Sequence, residues 1–288
     1  MSNTSIIRNG LFIIAASLLT LAACKKSTSN NNQTQTTLSA DDNGGYASDA
    51  SKLESANNDV LAVADFVATT GSTSNLRVTS PYPTFTKTVS GTDTTLTIDF
   101  GTAGVTGLDG KTRKGQIIVN YTGPYKASGS TRTITTNNYF LGTNQILAHK
   151  TVDNMGTNDS GQVYYNVTVN DTMLLDGSSD STISWTGTRT RTWYAGYPTA
   201  ERLDDVYLIG GVTSVTRADG NVYTFTISTA DPLKIAVACP YIEAGTVVIT
   251  SSSFTTGSRT LNYTYGGGGC DAWAQLTIGT TTYTIYLH

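Results

Sequence analysis

Charge is scarce in this sequence. Asp, Glu, Lys and Arg make up only 14% of its 288 residues, against about a quarter in an ordinary soluble domain. There are two His, three Cys, three Met and six Pro. The shortage of charge argues against a coiled coil and an acidic disordered tail. A net charge of −3 gives no basic footprint for nucleic acid. So few His and Cys leave little material for a metal centre or a nucleophile, and no metal, cofactor or catalytic residue is expected. Threonine is instead the commonest residue, joined by 28 Gly and 16 Tyr. That mixture favours strands and turns and argues against a helical bundle.

Met1 to Ala23 is ordered like an export signal. Arg8 supplies the positive charge, and Leu11 to Leu21 form a short apolar run. The run is too short to span a bilayer comfortably. It ends in Leu21-Ala22-Ala23-Cys24, which resembles the lipobox of bacterial lipoproteins. The resemblance implies a diacylglyceryl group on the Cys24 sulfur, palmitate-type acyl chains and cleavage before Cys24 by signal peptidase II. Acyl chains, at roughly 0.8 kcal/mol per buried CH₂, make a stable anchor. Lys25 and Lys26 follow, with no aspartate of the inner-membrane retention type and no acidic run of the surface-export type. The expected location is the cell outer membrane, with the periplasmic leaflet favoured over the cell surface.

Once Cys24 carries lipid, Cys239 and Cys270 remain. In an oxidising periplasm they make one structural disulfide; two free reactive thiols are the other reading. Neither lies in a C-x-x-C motif, so redox and zinc roles have little support.

Four segments follow from composition and periodicity. They are a signal peptide (1–23), a lipidated Cys with a flexible polar tether (24–45), a helix (46–70) and an antiparallel β domain (71–288). Asp41-Asp42-Asn43-Gly44-Gly45 superficially suggests a calcium loop, but its twelfth position is Lys52 rather than Glu. Ser51 and Glu54 have the spacing of a capping box. Leu53, Ala56, Val60, Ala64 and Val67 recur at helical spacing, so Asp49 to Ala68 is predicted to be one amphipathic helix with its apolar stripe on the sheet. From about Thr94 the period changes to two. Leu96, Ile98 and Phe100 alternate with polar residues, as do Ile117, Val119 and Tyr121, and Val163, Tyr165, Val167 and Val169. Asp109-Gly110, Asp176-Gly177 and Asp219-Gly220 mark hairpin turns. The expected fold is mainly β. It is a long antiparallel meander of about a dozen strands, forming a curved sheet, barrel or sandwich, with one N-terminal amphipathic helix.

Several stretches resemble a group of uncharacterised Bacteroidota lipoproteins. They are Leu96-Thr97-Ile98-Asp99-Phe100-Gly101, the run from Asp109 to Ile117, Asp204-Asp205-Val206-Tyr207, the segment from Pro232 to Cys239, and Gly269-Cys270-Asp271. The resemblance covers roughly residues 94–287. It implies an envelope location and a β-rich fold, and it supplies no catalytic residue.

The most unusual strand runs from Trp185 to Trp193. By parity, one face carries Trp185, Gly187, Arg189, Arg191 and Trp193. Two readings compete for Trp185, Arg189, Arg191 and Trp193. They form a site that stacks a sugar ring or holds an anionic glycan or lipid headgroup, or a cation–π ladder that solubilises an exposed sheet face. The ladder is the commoner arrangement. Lys111-Thr112-Arg113-Lys114 reads as a solvated basic turn, and Gly266 to Gly269 as a mobile turn rather than a phosphate loop. His149 and His288 have no identifiable partners for a triad. Asp204 and Asp205, as neighbours on a strand, would point to opposite faces, which argues against a shared acid–base site. Asp93-Thr94-Thr95, Asp171-Thr172-Met173 and Asp180-Ser181-Thr182 resemble Bacteroidota O-glycosylation acceptors.

These features predict a non-enzymatic envelope lipoprotein, a binding or structural module held to the membrane by its anchor. Its expected partner is a glycan or an envelope protein. The alternatives are a surface glycan-binding, adhesin or fimbrillin-like protein, and a periplasmic lipid carrier whose curved sheet encloses an apolar cavity.

Overall fold

The computed structural model describes residues 44–73, 76, 83–107, 109–197, 199, 201–255 and 257–287. The segment expected to be a signal peptide, Cys24, most of the expected tether and His288 lie outside them. The first element is the helix α1 (Gly44–Thr70). The strands are β1 (Thr84–Ser90), β2 (Asp93–Asp99), β3 (Val105–Thr106), β4 (Thr112–Thr122), β5 (Thr131–Leu141), β6 (Asn144–Leu147), β7 (His149–Thr157) and β8 (Val163–Leu174). They continue with β9 (Thr182–Ala195), β10 (Val206–Arg217), β11 (Val222–Ile227), β12 (Leu233–Ala236), β13 (Thr246–Thr250), β14 (Arg259–Asn262), β15 (Trp273–Ile278) and β16 (Thr281–Tyr286).

All of them belong to one 16-stranded sheet, ordered β1-β2-β4-β5-β6-β8-β9-β10-β11-β13-β14-β15-β16. Three strands lie off that path: β3 pairs with β4, β7 with β5 and β8, and β12 with β10. The pairing is antiparallel, as between Tyr165 and Arg191 in β8 and β9, so the expected meander is present with more strands than the dozen expected. Near-neighbour pairing follows from tight turns. Asp109, for example, accepts the Lys111 amide through Oδ1 and closes the β3–β4 turn.

The helix departs from its prediction in two ways. It starts before Ser51, so Ser51 and Glu54 lie within it and form no capping box. It is also covered on most of its circumference rather than resting a single stripe on the sheet. Ala47, Ala50, Leu53, Ala56, Val60, Leu61, Ala62, Val63, Ala64, Phe66 and Val67 are all buried. A 27-residue helix is about 40 Å long, and its many alanines let strands approach closely. Each fully buried Val, Leu or Phe contributes roughly 1.5–3 kcal/mol. Gly71, at φ +61°, ends the helix by donating its amide to the Val67 carbonyl at 2.9 Å. The αL conformation turns the chain away from the helix axis there, and glycine adopts it without a Cβ penalty.

Polar helix residues are buried with the apolar ones, and the inner faces of the strands carry their partners. Arg217 and the Tyr223 hydroxyl each donate to Asp49, both at 2.7 Å. Arg189 of β9 donates to Glu54 and to the Thr213 hydroxyl. Lys150 of β7 pairs with Asp171 and donates to Asn57 at 2.7 Å. Arg113 of β4 joins Asp59 to Asp109. Arg132 and Arg191 share Asp65, which also accepts the Tyr125 hydroxyl at 2.8 Å. Such pairs add little net stability, because desolvation offsets their attraction. Their geometry fixes the rotation and depth of α1 inside the sheet, since a shift of one residue would break all of them together.

A β-bulge aims one of these partners. The β4–β5 register shifts between Lys114 and Gln116, opposite Phe140 and Asn137. The shift brings both Ile134 and Tyr139 inside despite their odd spacing, and the Tyr139 hydroxyl reaches Asp59 at 2.7 Å. Gly115 faces the bulge at φ +80°, where a Cβ would lie 1.9 Å from the Asn138 carbonyl oxygen.

Candidate functional site

One strip of α1 escapes cover. Ser48, Ser51, Lys52 and Ser55 are half-buried and follow helical spacing, whereas Ala56 to Val67 are buried throughout. Ser51, Lys52 and Ser55 of this strip line a cleft of about 310 Å³, at the lower end of the range for small-molecule sites. The Gly110–Thr112 turn forms one wall. Leu141, Asn144 and Ile146 of the β5–β6 hairpin form another. Pro240 and Tyr241 stand opposite.

The Pro240–Tyr241 wall is tied down covalently. Cys239 and Cys270 form a disulfide across 31 residues of chain. A loop of that length corresponds to about 3–4 kcal/mol in the chain-entropy account. The expected pairing is therefore present, and it places Tyr241 beside the helix strip. The neighbouring Tyr286 hydroxyl also raises the Tyr241 phenol above its usual range.

The electrostatics of the cleft are one-sided. Lys52 and Lys111 line it, and among the described residues no carboxylate does. The Lys111 Nζ donates to the Ser55 hydroxyl at 3.1 Å. Behind it, Arg113 and Arg202 are buried with Asp59 and Asp109. The Arg202 guanidinium stands 4.0 Å from Asp109. Burial, together with the neighbouring Arg113 and Arg202 charges, pulls the Lys111 ammonium below the usual lysine range, against the attraction of Asp59 and Asp109. Burial would raise the Asp59 carboxyl, but Arg113 and Lys111 outweigh it and hold Asp59 well below the usual carboxylate range. This group thus contains three basic side chains and two carboxylates, and of its members Lys111 lines the cleft.

The residues singled out from sequence fall elsewhere. Trp185, Arg189, Arg191 and Trp193 do share one face of β9, but it is the inner face: they are 3%, 2%, 0% and 6% exposed. Both surface readings are corrected by that burial. The two guanidiniums are consumed by Glu54 and Asp65, Arg191 also lies 3.6 Å from the Tyr207 ring centroid, and the Trp193 indole donates to Asp205 at 3.0 Å. Arg113 is likewise no part of a solvated turn; it is 3% exposed.

Asp204 and Asp205 follow from a 3-10 turn (Arg202–Asp204) rather than a strand. They still share no site. Asp204 is bound by the Thr199 hydroxyl in an exposed turn, whereas burial lifts the Asp205 carboxyl to about 6, with the Trp193 hydrogen bond and the Arg191 charge opposing. His149 begins β7, with its amide on Asp171. The glycines after Tyr265 form a 3-10 turn and a loop in which the Gly269 amide reaches the Glu243 carbonyl. Of the three acceptor-like motifs, Thr94 is buried, Thr172 half-buried and Ser181 exposed.

Sequence reading missed the cleft because Lys52 and Lys111 are 59 residues apart in the chain. The available signal was the helix itself, whose Asp49, Glu54, Asp59 and Asp65 do not share one face. No family model, no curated protein and no solved structure matches the chain.

Proposed function

We propose that this chain is a non-enzymatic lipoprotein of the outer membrane, held on its periplasmic leaflet by acyl groups at Cys24, and that it binds a small ligand in the cleft over α1. The cleft is the observation that carries the binding role. It is concave, half apolar, edged with polar groups and walled by a disulfide-fixed segment. The anchor rests on Leu21-Ala22-Ala23-Cys24. The interior acids favour a non-catalytic reading, since Asp59, Asp65 and Glu54 are all engaged by buried arginines. A lipid carrier needs an open apolar interior, and here α1 occupies the inside of the sheet.

Glycan binding is the second reading, moved to a new place. Trp273 and Tyr286 are 45% and 46% exposed. Their rings meet edge to face at 5.0 Å, which offers a platform for a sugar ring.

Growth of cells with an alkynyl palmitate tests the anchor. Label should enter the wild-type protein and vanish in Cys24→Ser, which should leave the membrane fraction. An unlabelled wild-type protein would overturn the anchored reading. Protease added to intact cells should spare the chain; its cleavage there would place it on the cell surface and favour the glycan reading.

A further inference from the structure

Given that binding role, the chemistry of the cleft selects a class of ligand. We infer that the cleft takes a small soluble anion, a carboxylate, sulfonate or phosphate carried on a short apolar body, with Lys52 and Lys111 holding the charged head. The inference rests on the cleft being a binding site and adds what it binds.

The argument begins with charge. The chain has more acidic than basic residues, 21 against 18, yet the cleft over α1 is lined by two lysines and, among the described residues, by no acid. Neither lysine has a carboxylate within ion-pair distance among the described residues, whereas Arg113, Arg132, Lys150, Arg189, Arg191 and Arg217 all do. Nearly every other interior cation was given a partner, and these two were left facing a cavity. Arg202 reaches Asp109 only at 4.0 Å, and its buried Nε has no hydrogen-bond partner among the described residues. An anion in the cleft would offset the surplus charge of the Lys111, Arg113 and Arg202 group. It would do so in a partly dry site, where a charge pair is worth more than at the surface.

The walls set the rest of the ligand. Ala56, Leu141, Ile146, Met173 and Leu287 supply an apolar lining, and the Ser51, Ser55 and Thr112 hydroxyls stand near the lysines as donors to a charged oxygen. About 310 Å³ accommodates one or two rings or a short chain, and not an extended glycan or a whole diacyl lipid. A smaller recess next to the cleft is lined by Asn58, whose buried Oδ1 has no hydrogen-bond partner among the described residues. It offers an acceptor to a hydroxyl or amine on the ligand body.

The test uses the full chain carrying Cys24→Ser, so that no acyl group competes for the cleft. Two fluorescent probes share one scaffold: 8-anilinonaphthalene-1-sulfonate has the anion, and N-phenyl-1-naphthylamine lacks it. The sulfonate should bind at one saturable site, at least tenfold more tightly than the neutral probe. Lys52→Glu should weaken the sulfonate at least tenfold and leave the neutral probe unchanged. Lys52 is half-buried on the open strip, so this variant should stay folded by circular dichroism. Lys111→Gln should act in the same direction, and serves if Lys52→Glu does not fold. Equal binding of both probes, or sulfonate binding indifferent to the folded lysine variants, would overturn the anionic class and leave a binding cleft. Saturable binding of neither probe would overturn the cleft as a binding site as well.

Discussion

Asp65 is a carboxylate shared by two buried arginines. It faces Arg132 and Arg191 and accepts the Tyr125 hydroxyl. Removing a buried charge whose partners stay behind typically costs 3–5 kcal/mol. Asp65→Asn should therefore lower the unfolding free energy by about 3–5 kcal/mol in a guanidinium titration; a cost below about 1 kcal/mol would mean that the two arginines are not held there. Asp205 behaves in the opposite way with pH. Its folded carboxyl is raised from 3.8 to about 6, so its contribution to stability is fully present below the unfolded value and is lost as pH rises through about 6. The carboxyls of Asp59 and Asp65 are depressed, and theirs is present above the unfolded value and lost on acidification. Because the Trp193 indole donates to Asp205, its N–H resonance reports the carboxyl locally. That resonance should titrate with a midpoint near 6 and stay flat in Asp205→Asn; a midpoint near 4 would show an ordinary exposed aspartate.

At the scale of the element, the sequence is easiest to read where neighbours along the chain decide the outcome. Period-two runs such as Val163 to Val169 became strands with the expected faces, and Asp-Gly pairs became turns. The helix was legible in existence and nearly in extent. Its surroundings were not, because helical periodicity in Leu53, Val60 and Val67 shows that one stripe is apolar and cannot show that polar stripes are buried too. Parity placed Trp185, Arg189, Arg191 and Trp193 on one face correctly. It could not say which face, since guanidiniums usually mark the wet side and do so wrongly here. The deciding partners, Glu54 and Asp65, lie more than 100 residues away. The β4–β5 bulge was equally invisible: its signal is Gly115 opposite Asn138, a contact made only after the strands pair.

At the scale of the whole molecule, the fold is a long sheet rolled about one helix. No ladder joins β1 to β16 among the described residues, so the sheet ends rather than closing on itself. β1 is exposed along most of its length and carries Lys87, a charge that discourages pairing with a second sheet. No described helix is long and apolar enough to cross a membrane. The N-terminal half of α1 then has two roles, as core of the sheet and as floor of the cleft. The proposed ligand site thus rests on a helix whose position is fixed by its own acids, which pair with several strands.

The enclosure of α1 is therefore the claim on which the rest depends. Native-state hydrogen exchange measured across low denaturant concentrations tests it most directly. Amides from Ala56 to Val67 should exchange only through global unfolding, with the same free energy and denaturant dependence as those at the centres of β8 and β9. Exchange of these helix amides through a smaller opening, with weak denaturant dependence and well ahead of the central strands, would mean that the helix lies on the outside of the sheet and would contradict the account.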